Sequence, residues 1–521
     1  MLRCLASLAA LTVAGIAGCA QSSLETEVAA VGASYFVDSQ SGNDAQAGTS
    51  TDRPWRTLER LGSVKLQPGD SVFLRRGSTW SGTLRPAQSG SPGRPIRIAA
   101  YGEGPRPVVD GGPQNAVLLE NVQHWSVEGL ELTNDRGSGQ DVLRARSSKK
   151  SSRDSSIAVL DCLVRDGGGS GIHVGENEEG NFDNVVVEGC RAVSNKVSGI
   201  FVQGSYFDRV AGVTIRKCVA RGNGADGIKI YNARKGLIEE CLAEGNGWNE
   251  DARVGIWCWN SDDVLIQLCE SFGNRTPGTQ DGGGFDIDWA CSNCVIQHCY
   301  SHDNEGAGYL LMGAGDPGQT TTSSVRFNIS RNDGLKNSYG GIVCYGNLAS
   351  SRVHNNLVHV QSGTSGPAIQ IRGDASGGFP RGVSIFNNLV VADESGVALS
   401  VPDKGRENEF NHNGYHAPKG LTWAWAGTSY SEISALRAAS GQESKGWSAD
   451  PALRGGAAPS SRFTVTCYEL RDTSPAIDAG TEWREELGAR DYAGTPLGRR
   501  RQLSVGPLQP KPTETSKDDG R

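Results

Sequence analysis

One pattern, Gly-apolar-x-apolar, recurs through the middle of the chain and decides what it can fold into. It stands at Gly171 (GIHV), Gly199 (GIFV), Gly227 (GIKI), Gly255 (GIWC), Gly284 (GFDI), Gly308 (GYLL) and Gly341 (GIVC). Degenerate copies follow at Ala368 (AIQI) and Val397 (VALS), and the first four glycines are 28 residues apart. A second landmark keeps step with the first. Cysteines fall at Cys162, Cys190, Cys218, Cys241, Cys269 and Cys299, and Asn195, Asn223, Asn246, Asn274 and Asn304 each follow one of the last five at the same offset. Self-similarity at such a period marks stacked repeats. Within each copy polar and apolar residues alternate at period two, which is a strand pattern. The helical periodicity that an α-solenoid needs is absent. Stacked coils place equivalent residues on top of one another. The cysteines then form an inward ladder of small apolar groups rather than disulfides. The asparagines form a second ladder at a turn, where the left-handed conformation is tolerated.

The repeat, over residues 115–400, resembles that of right-handed parallel β-helix proteins of the pectate-lyase-like superfamily. The flanks resemble it too: Tyr35-Phe36-Val37-Asp38 with Ser41-Gly42-Asn43-Asp44, Pro54-Trp55-Arg56-Thr57-Leu58, Pro68-Gly69-Asp70-Ser71-Val72, and Ser474-Pro475-Ala476-Ile477-Asp478-Ala479-Gly480. The resemblance implies an all-β chain, a right-handed parallel β-helix (solenoid) of about ten coils at 115–404. An N-terminal cap at 35–114 carries a short helix near Pro54–Leu61 and strands at Asp70–Arg76 and Arg94–Tyr101. A C-terminal cap region at 405–508 carries a helix at Tyr430–Ser440. Both caps are expected to cover the open ends of the coil stack, where strand edges would otherwise go unpaired. The superfamily includes polysaccharide lyases, glycoside hydrolases, epimerases and adhesins, so fold alone does not choose a function.

The N-terminus reads as an export signal. Arg3, an apolar run from Leu5 to Ile16 and the sequence Ile16-Ala17-Gly18-Cys19 resemble a bacterial lipobox, with residues 1–18 removed and Cys19 lipidated. Residues 19–34 read as a tether and 509–521 as a disordered tail. Ala20 gives no Asp-type retention signal. The expectation is therefore a monomeric lipoprotein held by its lipid at the outer membrane or cell surface, or a secreted protein if the anchor is absent. A net charge of −7 argues against a nucleic-acid partner.

Coil stacking also lines up the outward residues. Third strand positions give the row His173, Phe201, Lys229, Trp257, Asp286, Leu310, Val343, Gln370. Fifth positions give Gly175, Gln203, Tyr231, Trp259, Asp288, Met312, Tyr345, Arg372. Solvated strand faces ordinarily carry Ser, Thr, Lys and Glu. A face with Trp257, Trp259, Tyr231, Tyr345 and Arg372 beside carboxylates suits an exposed groove for a glycan, since sugar rings stack on aromatic faces. Longer loops after Cys241 and Cys269, around 248–254 and 275–283, flank the strands that carry Trp257 and Asp286.

Asp286 and Asp288 leave one face of one strand, which suits a glycosidase acid/base pair with no cofactor. Asp281 on the inserted loop is a third candidate, and His302 with Asp303 is placed to reach the rim as a proton shuttle. The resemblance also permits a polysaccharide lyase. There Asp286 and Asp288 would hold Ca²⁺ against a uronate carboxylate, and Lys229 would be the base, helped by Arg372 or Arg253. The hydrolase ranks ahead of the lyase, because Trp257 stands between Lys229 and Asp286 in register. A non-catalytic surface glycan-binding protein is the third class. Cys291-x-x-Cys294 has metal-knuckle spacing, but one such pair falls short of a zinc site, and a turn with ladder cysteines accounts for it.

Overall fold

The computed structural model describes residues 32–510, apart from 149–152, 177–180, 207, 316, 362–363, 365, 483 and 499–501. Cys19, the signal segment and most of the tether lie outside the described residues, as does nearly all of the tail. Three long sheets carry the fold. Sheet 1 has 14 strands, from Ser34–Val37 to Glu409–Asn411; sheet 2 has 14, from Thr79–Ser81 to Trp447–Ser448; sheet 3 has 13, from Val117–Glu120 to Thr428–Tyr430. Each coil contributes one strand to each sheet, and every rung is parallel to the next except the last of sheet 3. There Leu421–Trp425 turns back antiparallel against Thr428–Tyr430.

The period-two alternation places Ile256, Cys258, Phe285 and Ile287 in a continuous core that runs the length of the stack. Their neighbours in sequence point outward. The repeat glycines have a steric cause. A Cβ on Gly227 would lie 2.4 Å from the Gly255 carbonyl oxygen and 3.0 Å from the Asn246 amide nitrogen. No side chain fits between a strand entry and the asparagine column beside it.

Both ladders are present. Cys162, Cys190, Cys218, Cys241, Cys269 and Cys299 are buried and free, and Cys190 and Cys218 donate to the carbonyls of Val159 and Val187. In the turn column each asparagine Nδ2 donates to the next Oδ1: Asn195 to Asn223 at 3.0 Å, Asn223 to Asn246 at 2.9 Å, Asn246 to Asn274 at 3.1 Å and Asn274 to Asn304 at 2.8 Å. Asn304 donates to Asp333 at 2.7 Å, and there the column ends. The cysteine column changes identity after Cys299. Its next rungs are Asn328, Asn356, Asn388 and Asn413, again linked amide to carbonyl, and it ends on Glu443.

The flanks belong to the same stack. Ser71–Arg75 and Ile96–Tyr101 are rungs of sheet 1. Leu58–Ser63 is a short helix whose N-cap Thr57 accepts from the Arg60 N–H. Ile433–Ser440 is a helix that packs Ile433 and Leu436 into the end of the core, as a cap should. The rest of the C-terminal region departs from the expectation that it closes an open end. It runs back along the flank: Val465, Tyr468, Ala476, Tyr492, Val505 and Leu508 pack on Tyr300, Ile329, Leu357 and Leu389 of sheet 2. Those outward residues are apolar and need cover.

Candidate active site

The site is built on the outer face of sheet 3. Register pairs Lys229 with Trp257, Trp257 with Asp286, and Asp286 with Leu310. In the second row it pairs Tyr231 with Trp259, Trp259 with Asp288, and then Met312 with Tyr345 and Tyr345 with Arg372. All of these side chains leave the face predicted for them. The face is not, however, an open groove. Asp286 is 1% exposed, Trp257 6% and Lys229 7%.

The cover comes from loops that brace one another. The Thr276 hydroxyl donates to Asp251 at 2.6 Å, and the Gly282 N–H donates to the Arg253 carbonyl at 2.9 Å. A third loop, after Asp333, closes the other side. Its Asn337 amide donates to the Asp281 carbonyl at 3.2 Å, and its Tyr339 packs on Leu310 and Val343. Asp281 sits in the left-handed region at φ 49°. A Cβ on Gly306 would come within 2.2 Å of the Asp281 carbonyl oxygen, so a glycine is required for the loop to lie this low.

Three carboxyls gather under this cover, and burial is the first cause of the shift in each. Asp281 is pushed up to about 6, with Asp226 and Asp251 adding to the rise. Asp288 is pushed up to about 7, with Asp281 adding to it. Asp286 is held well above the usual carboxylate range, with Asp288 and Asp281 repelling its charge. Their accessibility differs. Asp286 is sealed, and its Oδ1 has no hydrogen-bond partner. Asp281 and Asp288 are only partly buried, and Asp288 Oδ1 accepts from the Trp289 N–H at 2.6 Å. Asp281 lines a cavity of about 260 Å³ with Leu310, Met312, Tyr339, Tyr345 and Arg372. The Arg372 guanidinium lies 4.9 Å over the Tyr339 ring and 5.9 Å over that of Tyr345.

Several sequence assignments change. Lys229 is not a free base: its Nζ is 2.8 Å from Asp226 Oδ2 and 4.3 Å over the Phe201 ring. Trp257 is not a stacking surface. Its indole N–H donates to Asp226 Oδ1 at 2.9 Å and its ring meets Tyr231 edge-on. The aromatic wall is instead Trp259 stacked on Trp289, 4.9 Å apart with 12° between planes, with Tyr206 tilted against both. His302 does not reach the site. It lies on the outer side of sheet 2, between Asp303 and Glu270 and stacked on Phe272 and Tyr300, under the C-terminal segment. The geometry adds nothing to the calcium reading, which rests on Asp286 and Asp288 alone. Among the described residues, Cys258, Cys291 and Cys294 alone bring three potential ligand atoms within 4.8 Å of one another. The oxygens of Asp281, Asp286 and Asp288 do not converge in this way.

Asp226, Trp289, Tyr206 and Tyr339 were not anticipated. Asp226 is fully buried and acts as a hub, accepting from Lys229, Trp257, the Val254 N–H and Ser198. Its signal is an acid directly before a repeat glycine, where the coils on either side carry Ser198 and Val254.

Residues 195–358 match the family model described as right-handed β-helix region. The lacto-N-biosidase of Bifidobacterium longum subsp. longum is 23% identical over 447 residues, covering 64% of this chain and 27% of that protein. The chain thus spans about a quarter of that relative's length. Among solved structures, the GH136 lacto-N-biosidase from Eubacterium ramulus superposes with TM-score 0.53 at 21% identity, over 64% of this chain and 65% of that one. The complex of XylC with xylose superposes with TM-score 0.52 at 11% identity, over 91% and 98%. Parallel coils, inward ladders, the matched region and these superpositions agree, and the chain is by fold a right-handed parallel β-helix protein.

Proposed function

We propose that the chain is a glycoside hydrolase whose working carboxyls are Asp281 and Asp288. One observation carries the reading. Two partly buried carboxyls are poised near neutral pH: Asp281 lines a sugar-sized cavity, and Asp288 stands in register with Trp259 of the stacked indole pair. Between about pH 6 and pH 7 the pair holds about one proton, on Asp288 more than on Asp281. The protonated member donates to the glycosidic oxygen, and the ionised member attacks the anomeric carbon or draws a proton from a water that does. Asp286, 1% exposed and held protonated, is sealed away from the sugar. Trp259 and Trp289 offer the apolar face on which a pyranose stacks.

The lacto-N-biosidase relatives support this class and give the first substrates to test, aryl lacto-N-biosides and lacto-N-biosyl oligosaccharides. The lyase reading loses support with Lys229, whose charge is committed to Asp226. Incubation with these glycosides and with uronate polysaccharides separates the classes. New reducing ends without unsaturated-uronate absorbance support hydrolysis. Absorbance would mean a lyase, and no product from any substrate would favour a glycan-binding protein. The reading includes location: Cys19→Ser should release the protein from the membrane fraction, and unchanged fractionation would refute the lipid anchor.

A further inference from the structure

Cys258, Cys291 and Cys294 stand apart from the cysteine column. In that column each thiol sits above its equivalent, one coil away. Here three thiols from two coils and three different columns turn toward one point. Cys258 belongs to strand Val254–Trp259, with Ile230 before it and Ile287 after it in register. Cys291 and Cys294 lie in the turn that follows Asp288. In the coil before, the matching places are held by Ser261 and Val264, whose carbonyls receive the N–H groups of Ser292 and Val295. The three sulfurs lie within 4.8 Å of one another, with Cys258 and Cys291 at 3.9 Å. All three side chains are fully buried and free.

A trigonal metal ion fits within that spacing. Metal–sulfur bonds of about 2.3 Å in a trigonal plane put the sulfurs about 4 Å apart. The Cys291 and Cys294 thiols donate to the carbonyls of Cys258 and Ser261, at 3.8 and 3.4 Å, and a bound ion would displace those protons. Soft thiolates select Cu⁺, Zn²⁺ and their heavier relatives over hard cations. Among the described residues no fourth His, Cys, Asp or Glu joins the group.

We propose that Cys258, Cys291 and Cys294 form a three-thiolate site for a soft d¹⁰ metal ion. Binding replaces thiol protons, which leave to solvent, with metal–sulfur bonds, and no oxidation is involved. The ion ties the turn after Asp288 and Trp289 to the coil beneath, so it steadies the floor of the active face without meeting substrate. The proposal is independent of the hydrolase reading.

Cd²⁺ is the probe. The full chain is unfolded in reductant, refolded with Cd²⁺ and desalted. One retained equivalent per chain with a thiolate-to-cadmium charge-transfer band is expected. Each site cysteine is then replaced by the residue its register neighbour already uses: Cys258→Ile, Cys291→Ser and Cys294→Val. Cys291→Ser and Cys294→Val stay close to the size of cysteine, and Cys258→Ala is run beside the larger Cys258→Ile; in each variant whose circular dichroism matches the parent the band and the ion should be lost. Cys241→Ala in the column is the control and should keep both. The proposal falls if the parent retains no ion, if the three variants retain it, or if the control loses it equally. It also falls if thiol counting under denaturant without reductant finds two of the three joined as a disulfide.

Discussion

Asp281, Asp286 and Asp288 differ in what reaches them, and substitution should separate them. Asp281→Asn and Asp288→Asn remove a proton donor or a charge at the reacting atoms, and kcat should fall about 100-fold or more. Asp286→Asn replaces a buried neutral acid by its near-isostere and should keep most of the activity, as steady-state kinetics with an aryl glycoside will show. The same groups make stability depend on pH in a definite direction. An unfolded chain ionises Asp288 near its ordinary value, but the fold holds it protonated up to about 7. Folding is therefore unpenalised below about pH 4, penalised increasingly as pH rises, and fully penalised above about pH 7. Asp288→Asn should raise Tm by several degrees at pH 8 and leave it unchanged at pH 4. Lys229 follows a different rule. Lys229→Ala strands the Asp226 carboxylate in the core and should cost about 4 kcal/mol in chemical denaturation. The double change Asp226→Asn with Lys229→Met should recover much of that.

At the scale of the strand and loop, sequence and structure diverge in an orderly way. Parity was legible, because a period of two admits only two faces and the core residues Ile256, Phe285 and Ile287 choose between them. Exposure was not. Whether Trp257 is a platform or a buried prop depends on where loops 248–254 and 275–283 travel, and a loop path has no period to read. The long step from Gly308 to Gly341 did hide a third loop, whose Tyr339 closes over Leu310. His302 misled for a related reason. It sits near Asp303 at a turn, but the turn opens onto sheet 2, and the apolar residues that draw the C-terminal segment there are scattered through the sequence. Trp289 follows Asp288 directly and lies outside the strand positions that register lines up, so the sequence reading assigned Trp259 but not its stacking partner. Trp289→Ala should raise KM with little change in kcat, since it removes a wall and no reacting group.

The whole molecule is a stack in which each coil contacts mainly its neighbours, so stability accumulates along one axis. The asparagine column is part of that sum. Asn246 donates to Asn274 and to the Ala220 carbonyl while accepting from Asn223. Asn246→Ala leaves buried partners unmet and should cost roughly 2 kcal/mol in denaturant unfolding. These columns also have a sense of direction. From side chain to side chain, each amide donates to the next coil toward the C-terminal end and accepts from the coil before, so those bond dipoles add rather than cancel. Such a chain cannot stop on another amide without orphaning one of its N–H groups, since only the other is met by a carbonyl of the coil before. It needs a residue that only accepts, and the two columns end on Asp333 and Glu443. An acid in an asparagine column is therefore punctuation. It closes a sentence of fixed polarity, and anyone lengthening this protein by splicing in coils would have to move the full stop.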